Sequence, residues 1–368
     1  MEKRQRVEWL DLPTELWTMI AKHLILEDNT SFEVFRFRSI CKTWRSAHPL
    51  PQQTPFAPQV CIPLGRRGKS FLLQTTMYRL EPLLHAPNIN QDPSISSSKG
   101  WLIMLEDSQS VPLRLLNPFT RSHVSDTPQA HIFSSGTLPK ELNFLNFKVV
   151  KLLEAFNLLG YADNVLKLVL FPSFPVEGRM VCALFNDSNL CVRKIEDKKW
   201  TKIYYQGFHG YHDIIIHKGQ LYVIDNQGTI LWMNPLSMEL VQFTQPLWSR
   251  YNGKTKKMVE FDGRLYVVEM HINVGSLPLE AVIKVYKVNE ESGRWEVVKN
   301  LGDVAFVLGK DSNFSLSAKD YHGIEGNCIY FSYSSPSIIC RVFRFSLEDS
   351  MLTTPEPFWP CPDLFKKT

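Results

Sequence analysis

Gly219-Gln220-Leu221-Tyr222-Val223 is echoed 44 residues later by Gly263-Arg264-Leu265-Tyr266-Val267, and more loosely by Gly326-Asn327-Cys328-Ile329-Tyr330-Phe331. Each copy opens on a glycine suited to a tight turn and continues as an apolar, aromatic strand. A second echo pairs a charged turn with a tryptophan: Glu196-Asp197-Lys198-Lys199 before Trp200, and Glu290-Glu291-Ser292-Gly293-Arg294 before Trp295, two intervals apart. A unit of roughly 40–50 residues made of four short strands is the period of a β-propeller blade. Repetition at that period predicts a mainly β fold with about six blades, or seven.

The rest of the chain beyond residue 60 agrees. Short apolar runs recur at Phe71–Gln74, Trp101–Met104, Lys167–Phe171 and Met180–Phe185, separated by turns rich in Gly, Asn, Asp and Pro. Only 139–159 departs, with Leu142, Leu145, Val149, Leu152 and Leu153 at mixed spacing, which is expected to be an inserted helix or loop. Trp200, Trp232, Trp248 and Trp295 are expected in blade cores.

Before residue 50 the period changes. Leu12, Leu16, Ile20 and Leu24 recur every four residues with Met19 beside them, the stripe of a short amphipathic helix. Pro13 occupies a tolerated first-turn position. A second helix spans about Phe32 to Ser46 and ends at His48-Pro49-Leu50-Pro51. It is basic, with Arg36, Arg38, Lys42 and Arg45, and no acidic residue follows Glu33 within it. Two or three short helices cannot bury Trp9, Leu12, Leu16, Trp17, Ile20, Phe35, Phe37, Ile40 and Trp44 against one another, so either the rest of the chain or a partner should cover part of this face.

Composition bounds the partners. The chain has 368 residues, 41 Lys plus Arg against 37 Asp plus Glu, and a net charge of +4, too small a surplus to mark a nucleic-acid or polybasic membrane protein. No apolar stretch reaches membrane-spanning length, and the charged start Met1–Arg6 precedes no signal-like segment. Seven cysteines without a C-x-x-C read as reduced thiols of a nuclear or cytoplasmic protein.

Catalytic motifs are not found. Gly65-Arg66-Arg67-Gly68-Lys69 reads as a basic hairpin tip, and the nearest metal-like cluster, His209-x-x-His212-Asp213 with His217, reads as turn and core histidines. No cofactor or metal is expected.

Leu12-Pro13-Thr14-Glu15-Leu16 followed by Arg38-Ser39-Ile40-Cys41-Lys42-Thr43-Trp44-Arg45 resembles an F-box. The later order Ser96–Leu102, Leu115–Thr120, Tyr211–Ile214, Trp295, Leu301-Gly302-Asp303 and Phe358-Trp359-Pro360 resembles the KIB-type β-propeller that accompanies F-boxes in a large plant family, the F-box/SKIP-like proteins. The resemblance implies an F-box over 9–48 and a propeller over 60–366, in which Pro357–Pro360 returns to the first blade. It also implies a non-catalytic substrate receptor of a Skp-cullin-F-box ubiquitin ligase. Leu12, Pro13, Leu16, Ile20, Ile40, Cys41 and Trp44 would contact a Skp-type adaptor of the plant ASK family, and through it a cullin scaffold. The propeller would hold a target protein that the sequence does not name. Two alternatives stay open: a propeller enzyme or ligand sensor with a helical appendage, and an F-box scaffold acting outside a ligase.

Overall fold

The computed structural model describes residues 13, 15–16, 18–20, 23, 42–47, 61–63, 69–82, 99–108, 111–122, 147–159, 165–171, 180–194, 197, 199–207, 210–247, 254–273, 279–335 and 338–355. The chain is mainly β. Two regular meanders show the repeating unit most plainly. In one, β10 (Tyr211–His217), β11 (Gln220–Asp225), β12 (Ile230–Met233) and β13 (Leu240–Gln242) pair in chain order. In the next, β14 (Thr255–Phe261), β15 (Arg264–Asn273), β16 (Glu280–Asn289) and β17 (Arg294–Val298) do the same. The glycine echo marks the same place in both. Lys218-Gly219 and Asp262-Gly263 join the first two strands as two-residue turns, with positive φ at both positions. Such turns match the right-handed twist of the strands they connect.

Upstream, β6 (Val165–Phe171), β7 (Met180–Phe185), β8 (Leu190–Lys194) and β9 (Thr201–Ile203) make a third four-stranded unit. Its outermost strand follows Trp200, just as Trp295 lies in the outermost strand β17, so the tryptophan echo also marks one blade position. Downstream, β18 (Val304–Leu308), β19 (Asn313–Ser317), β20 (Cys328–Ser335), β21 (Ile338–Ser346) and β22 (Leu352–Thr353) pair in the order β19-β18-β20-β21-β22. Here β19 folds back on the inner side of β18, which leaves β18 and β20 parallel. That excursion is why the third glycine echo comes late. These four units open at residues 165, 211, 255 and 304, so the period holds at 46, 44 and 49 residues.

The first unit does not keep the period. It takes β1 (Cys61–Pro63), β2 (Lys69–Pro82), β3 (Trp101–Ser108), β4 (Val111–Leu116) and β5 (Phe147–Leu159), in the order β4-β3-β2-β5 with β1 on the far part of β2. Its described strands span about two periods of chain, so length divided by period does not by itself give the number of units. Among the described residues there are five units, where that division gave six or seven. A single residue pair, Phe156 with Leu168, connects β5 to β6 and makes two units formally one nine-stranded sheet.

The segment expected as a helix is corrected here: 147–159 is β5, paired with β2 along its length, while 139–146 lies outside the described residues. The register shifts between Met77 and Tyr78, which leaves Leu152 as an extra, bulged residue. On one side of the bulge Phe147 and Val149 pack with Tyr78, Leu80 and Ile103. On the other, Leu153 packs with Met77, Leu102 and Met104 on the opposite face. A mid-strand change of buried face breaks the period of two and leaves leucines at spacings that look helical.

Among the described residues, five apolar clusters lie one between each pair of neighbouring units. Leu72 with Leu168 and Val181 joins the first unit to the second, and the residues around Tyr211, Ile214 and Cys182 join the second to the third. Met258 and Leu265 pack on Ile224 and Ile230, and Val259 and Tyr266 pack on Phe306 and Phe331. Last meets first where Met104, Leu116 and Phe119 bury against Val307, Phe314 and Tyr330. Burial of this kind contributes roughly 1.5–3 kcal/mol for each large side chain. The backbone closes the same joint: Gly100 N donates to Asp320 O at 2.7 Å, His322 N donates to Gly100 O at 3.2 Å, and Trp101 stacks on His322. Closure buries the faces that the last and first units would otherwise leave exposed. The Pro357–Pro360 segment expected to do this lies outside the described residues. Trp200, Trp232 and Trp295 are half-buried rather than fully inside, with Trp200 and Trp295 flanking the clusters between units, and Trp248 is outside the described residues.

Candidate interaction surfaces

Glu15, Leu16, Thr18, Met19, Ile20 and His23 are helical, and Leu16 N donates to Pro13 O at 3.0 Å in the first turn. A proline there costs nothing, since its missing N–H would have had no intrahelical partner. The helix Lys42–Ala47 follows, with Arg45 in its last turn, where a cation complements the carbonyl end of the helix. Of the seven expected contact residues, Leu12, Ile40 and Cys41 lie outside the described residues. Pro13 and Leu16 are exposed, and Ile20 and Trp44 are half-buried. Met19 is 57% exposed and Leu16 41%. Met19 was readable on the same stripe but was not among the expected contacts, although it is the more exposed of the two. Lys42 and Arg45 are exposed nearby in sequence.

The second surface lies at the ring's centre, where β5, β6, β10, β14 and β19 are the innermost strands. They enclose a cavity of about 610 Å³, whose lining includes Phe156, Leu170, Ile216, Glu260, Asp311 and Asn313. Two of its lining residues, Lys167 and Asn313, belong to a buried polar hub. Asp213 Oδ1 accepts from Lys167 Nζ at 2.8 Å and from Ile214 N at 2.9 Å, while Oδ2 accepts from Met258 N at 2.7 Å and from Asn313 Nδ2 at 2.8 Å. One carboxylate thus ties four innermost strands together. Asp213 is fully buried and Lys167 nearly so. Burial pulls the Lys167 ammonium below the usual lysine range, and Asp213 offsets part of that pull.

Two bulges aim this pair. In β6 the register skips Leu166, between Val165 and Lys167, and in β10 it skips His212, between Tyr211 and Asp213. The bulges stand 46 residues apart at the same place in successive units, and each turns the following side chain toward the axis. No local motif announces this. The signal available in sequence is a charged residue of opposite sign at one offset in two repeats.

The metal-like cluster separates in space, with His209 outside the described residues. The His217 ring lies between two carboxylates, with Nδ1 2.9 Å from Glu260 and Nε2 3.1 Å from Glu290, and Lys218 Nζ meets Glu290 at 2.6 Å. These contacts fasten the third unit to the fourth. Among the described residues His212 Nδ1 has no hydrogen-bond partner, and burial, with Lys256 and Lys257 adding to it, lowers the His212 pKa to about 4. At the joint between last and first units, Asn117 Oδ1 caps Phe119 N and Thr120 N, and Arg121 reaches Ser312 Oγ at 2.6 Å and Asp311 at 3.6 Å. Burial pushes the Asp311 carboxyl up, with Arg121 opposing it. Among the described residues no group of three or more His, Cys, Asp or Glu side chains is arranged to hold a metal ion.

Comparison with known proteins covers both parts of the chain. A family model described as the KIB1-4 β-propeller matches residues 72–351, and one described as the F-box domain matches residues 9–47. The chain is similar to F-box protein At4g35733 of Arabidopsis thaliana, 30% identical over 363 residues that cover 94% of this chain and 93% of the relative. F-box protein At2g26160 of the same plant is 29% identical, covering 89% and 96%. F-box protein SKIP23, also from Arabidopsis thaliana, is 28% identical, covering 89% and 84%.

Proposed function

We propose, from the premise that the chain belongs to the KIB1-4 β-propeller family and carries an F-box at its N-terminus, that it is the substrate-recognition subunit of a Skp-cullin-F-box ubiquitin ligase. The F-box would dock on a Skp-type adaptor of the plant ASK family and so on a cullin. The propeller would hold a target protein for ubiquitination and degradation, in the nucleus or the cytoplasm. In this role the chain performs no bond chemistry. Holding a target lysine near the charged ubiquitin carrier raises its effective concentration at the transfer site.

One observation carries the reading: the F-box match coincides with a helix that leaves Leu16 and Met19 in water. Each such side chain forgoes about 1.5–3 kcal/mol of burial while uncovered. A cover for this face contributes to binding at once. The test is co-expression of the full chain with a plant Skp-type adaptor, followed by affinity purification, comparing the wild type with a Leu12→Asp, Trp44→Ala variant. The wild type is expected to retain the adaptor and the variant to lose it. Retention by both would refute the contact assignment, and retention by neither would refute the ligase reading.

A further inference from the structure

The central cavity has uneven chemistry. Phe156, Leu170, Ile215 and Ile216 give it apolar, half-buried walls, and its charged lining is Glu154, Glu260, Asp311 and Lys167. The one cation among the described lining residues is already engaged, because Lys167 donates to Asp213. Each carboxylate, by contrast, keeps an oxygen with no bond among the described residues. Glu154 accepts Gln74 and Lys151 through Oε1 alone, and Glu260 meets His217 through Oε2 alone. Asp311 has no hydrogen bond among the described residues, only Arg121 Nε 3.6 Å from Oδ2, although its side chain is 7% exposed.

We propose that this cavity takes a lysine or arginine side chain of a protein partner, its aliphatic stem against Phe156, Leu170 and Ile216 and its cationic head among Glu260, Asp311 and Glu154. Concave sites with apolar walls and a few convergent polar groups bind ligands, and the sign of those groups selects which. An anion would face three carboxylates across from a lysine that cannot leave Asp213. A wholly apolar occupant would strip water from Asp311 and give it nothing in return. A basic side chain matches both the walls and the charge, and long cationic side chains bury their stems while their heads seek carboxylates. A cation arriving beside Asp311 opposes the upward push that burial gives its carboxyl.

The inference rests on the receptor reading only in calling the partner a target; the cavity binds, or fails to bind, with no adaptor present. The test is calorimetric titration of the full chain with three capped peptides, acetyl-Leu-Arg-Leu-amide and its counterparts carrying norleucine or glutamate at the centre. The arginine peptide is expected to saturate, the norleucine peptide to bind about tenfold or more weakly, and the glutamate peptide not to bind. Glu260→Gln should weaken the arginine peptide by about tenfold. Its side chain is 42% exposed, so this variant is expected to fold. Asp311→Asn should weaken it further, with its folding checked by circular dichroism. Equal affinity for the three peptides, no binding of the arginine peptide, or an unchanged affinity in Glu260→Gln would each overturn the proposal. Adaptor co-purification is read separately, so failure here leaves the ligase reading standing, and the converse also holds.

Discussion

Replacing Asp213 by alanine removes the acceptor for four donors at once: Lys167 Nζ, Ile214 N, Met258 N and Asn313 Nδ2. The ammonium suffers most, since its side chain is only 5% exposed and loses the one carboxylate it donates to. Breaking a buried pair by deleting one partner costs about 3–5 kcal/mol, because the remaining charge stays desolvated. The orphaned Met258 amide adds to this, so the upper part of that range is expected. For a domain of this size about 2 °C of melting temperature is lost per kcal/mol, which places the shift at roughly 8–10 °C. The assay is differential scanning fluorimetry of the full chain, with Asp197→Asn as an exposed control expected to move by about 1 °C. A double variant, Asp213→Leu with Lys167→Met, should recover part of the loss, because apolar replacements of a buried pair are tolerated better than half a pair. An Asp213→Ala shift no larger than the control's would refute the claim that this carboxylate holds the innermost strands together.

Two further predictions follow from local geometry. His212 has its pKa lowered from 6.5 to about 4, so the unfolded chain binds the extra proton first as pH falls; the contribution is complete above pH 6.5 and is lost between 6.5 and 4. That shift corresponds to about 3 kcal/mol, reduced to about 1–2 by partial solvent exposure. Urea midpoints of His212→Gln should accordingly fall less than wild-type midpoints across that window, and parallel curves would contradict it. Gly228 and Gly207 share a φ of +83°, but a Cβ on Gly228 would meet Leu247 Cβ at 2.5 Å while one on Gly207 meets nothing within 4 Å. Gly207→Ala should cost about 1 kcal/mol of backbone strain and Gly228→Ala clearly more, about 2–4, with similar losses counting against the packing argument.

The parts of the fold that could be read from sequence were those written locally. Lys218-Gly219 and Asp262-Gly263 are legible because a two-residue turn with positive φ at both positions demands particular residues. The tryptophan echo is legible because it returns at the same blade position two units on. Strand β5 was not, since the bulge at Leu152 puts its apolar residues on opposite faces and erases the alternation by which strands are recognised. The blade number is not legible for a related reason: the period holds from β6 onward, while the described strands of the first unit span about twice that length of chain.

The candidate surfaces divide in the same way. The F-box motif lies in two short local segments, so Pro13, Leu16, Ile20 and Trp44 can be named from sequence as expected contacts. Asp213 could not. Its partners Lys167, Met258 and Asn313 lie 46, 45 and 100 residues away and meet only when the ring closes. Read locally, it was the last letter of a histidine cluster. The cavity carboxylates are equally dispersed, coming from β5, β14 and the turn between β18 and β19. Dividing one site among all five units is what a ring does, and no window of sequence contains it.

Whether this chain joins a ligase is tested most directly by mixing it with a plant Skp-type adaptor and the adaptor-binding part of a cullin. The complex would be resolved by size-exclusion chromatography with light scattering. The account predicts a single species holding one copy of each protein, lost when Leu12→Asp and Trp44→Ala are introduced. Elution of the wild-type chain apart from the adaptor at low micromolar concentration would contradict it.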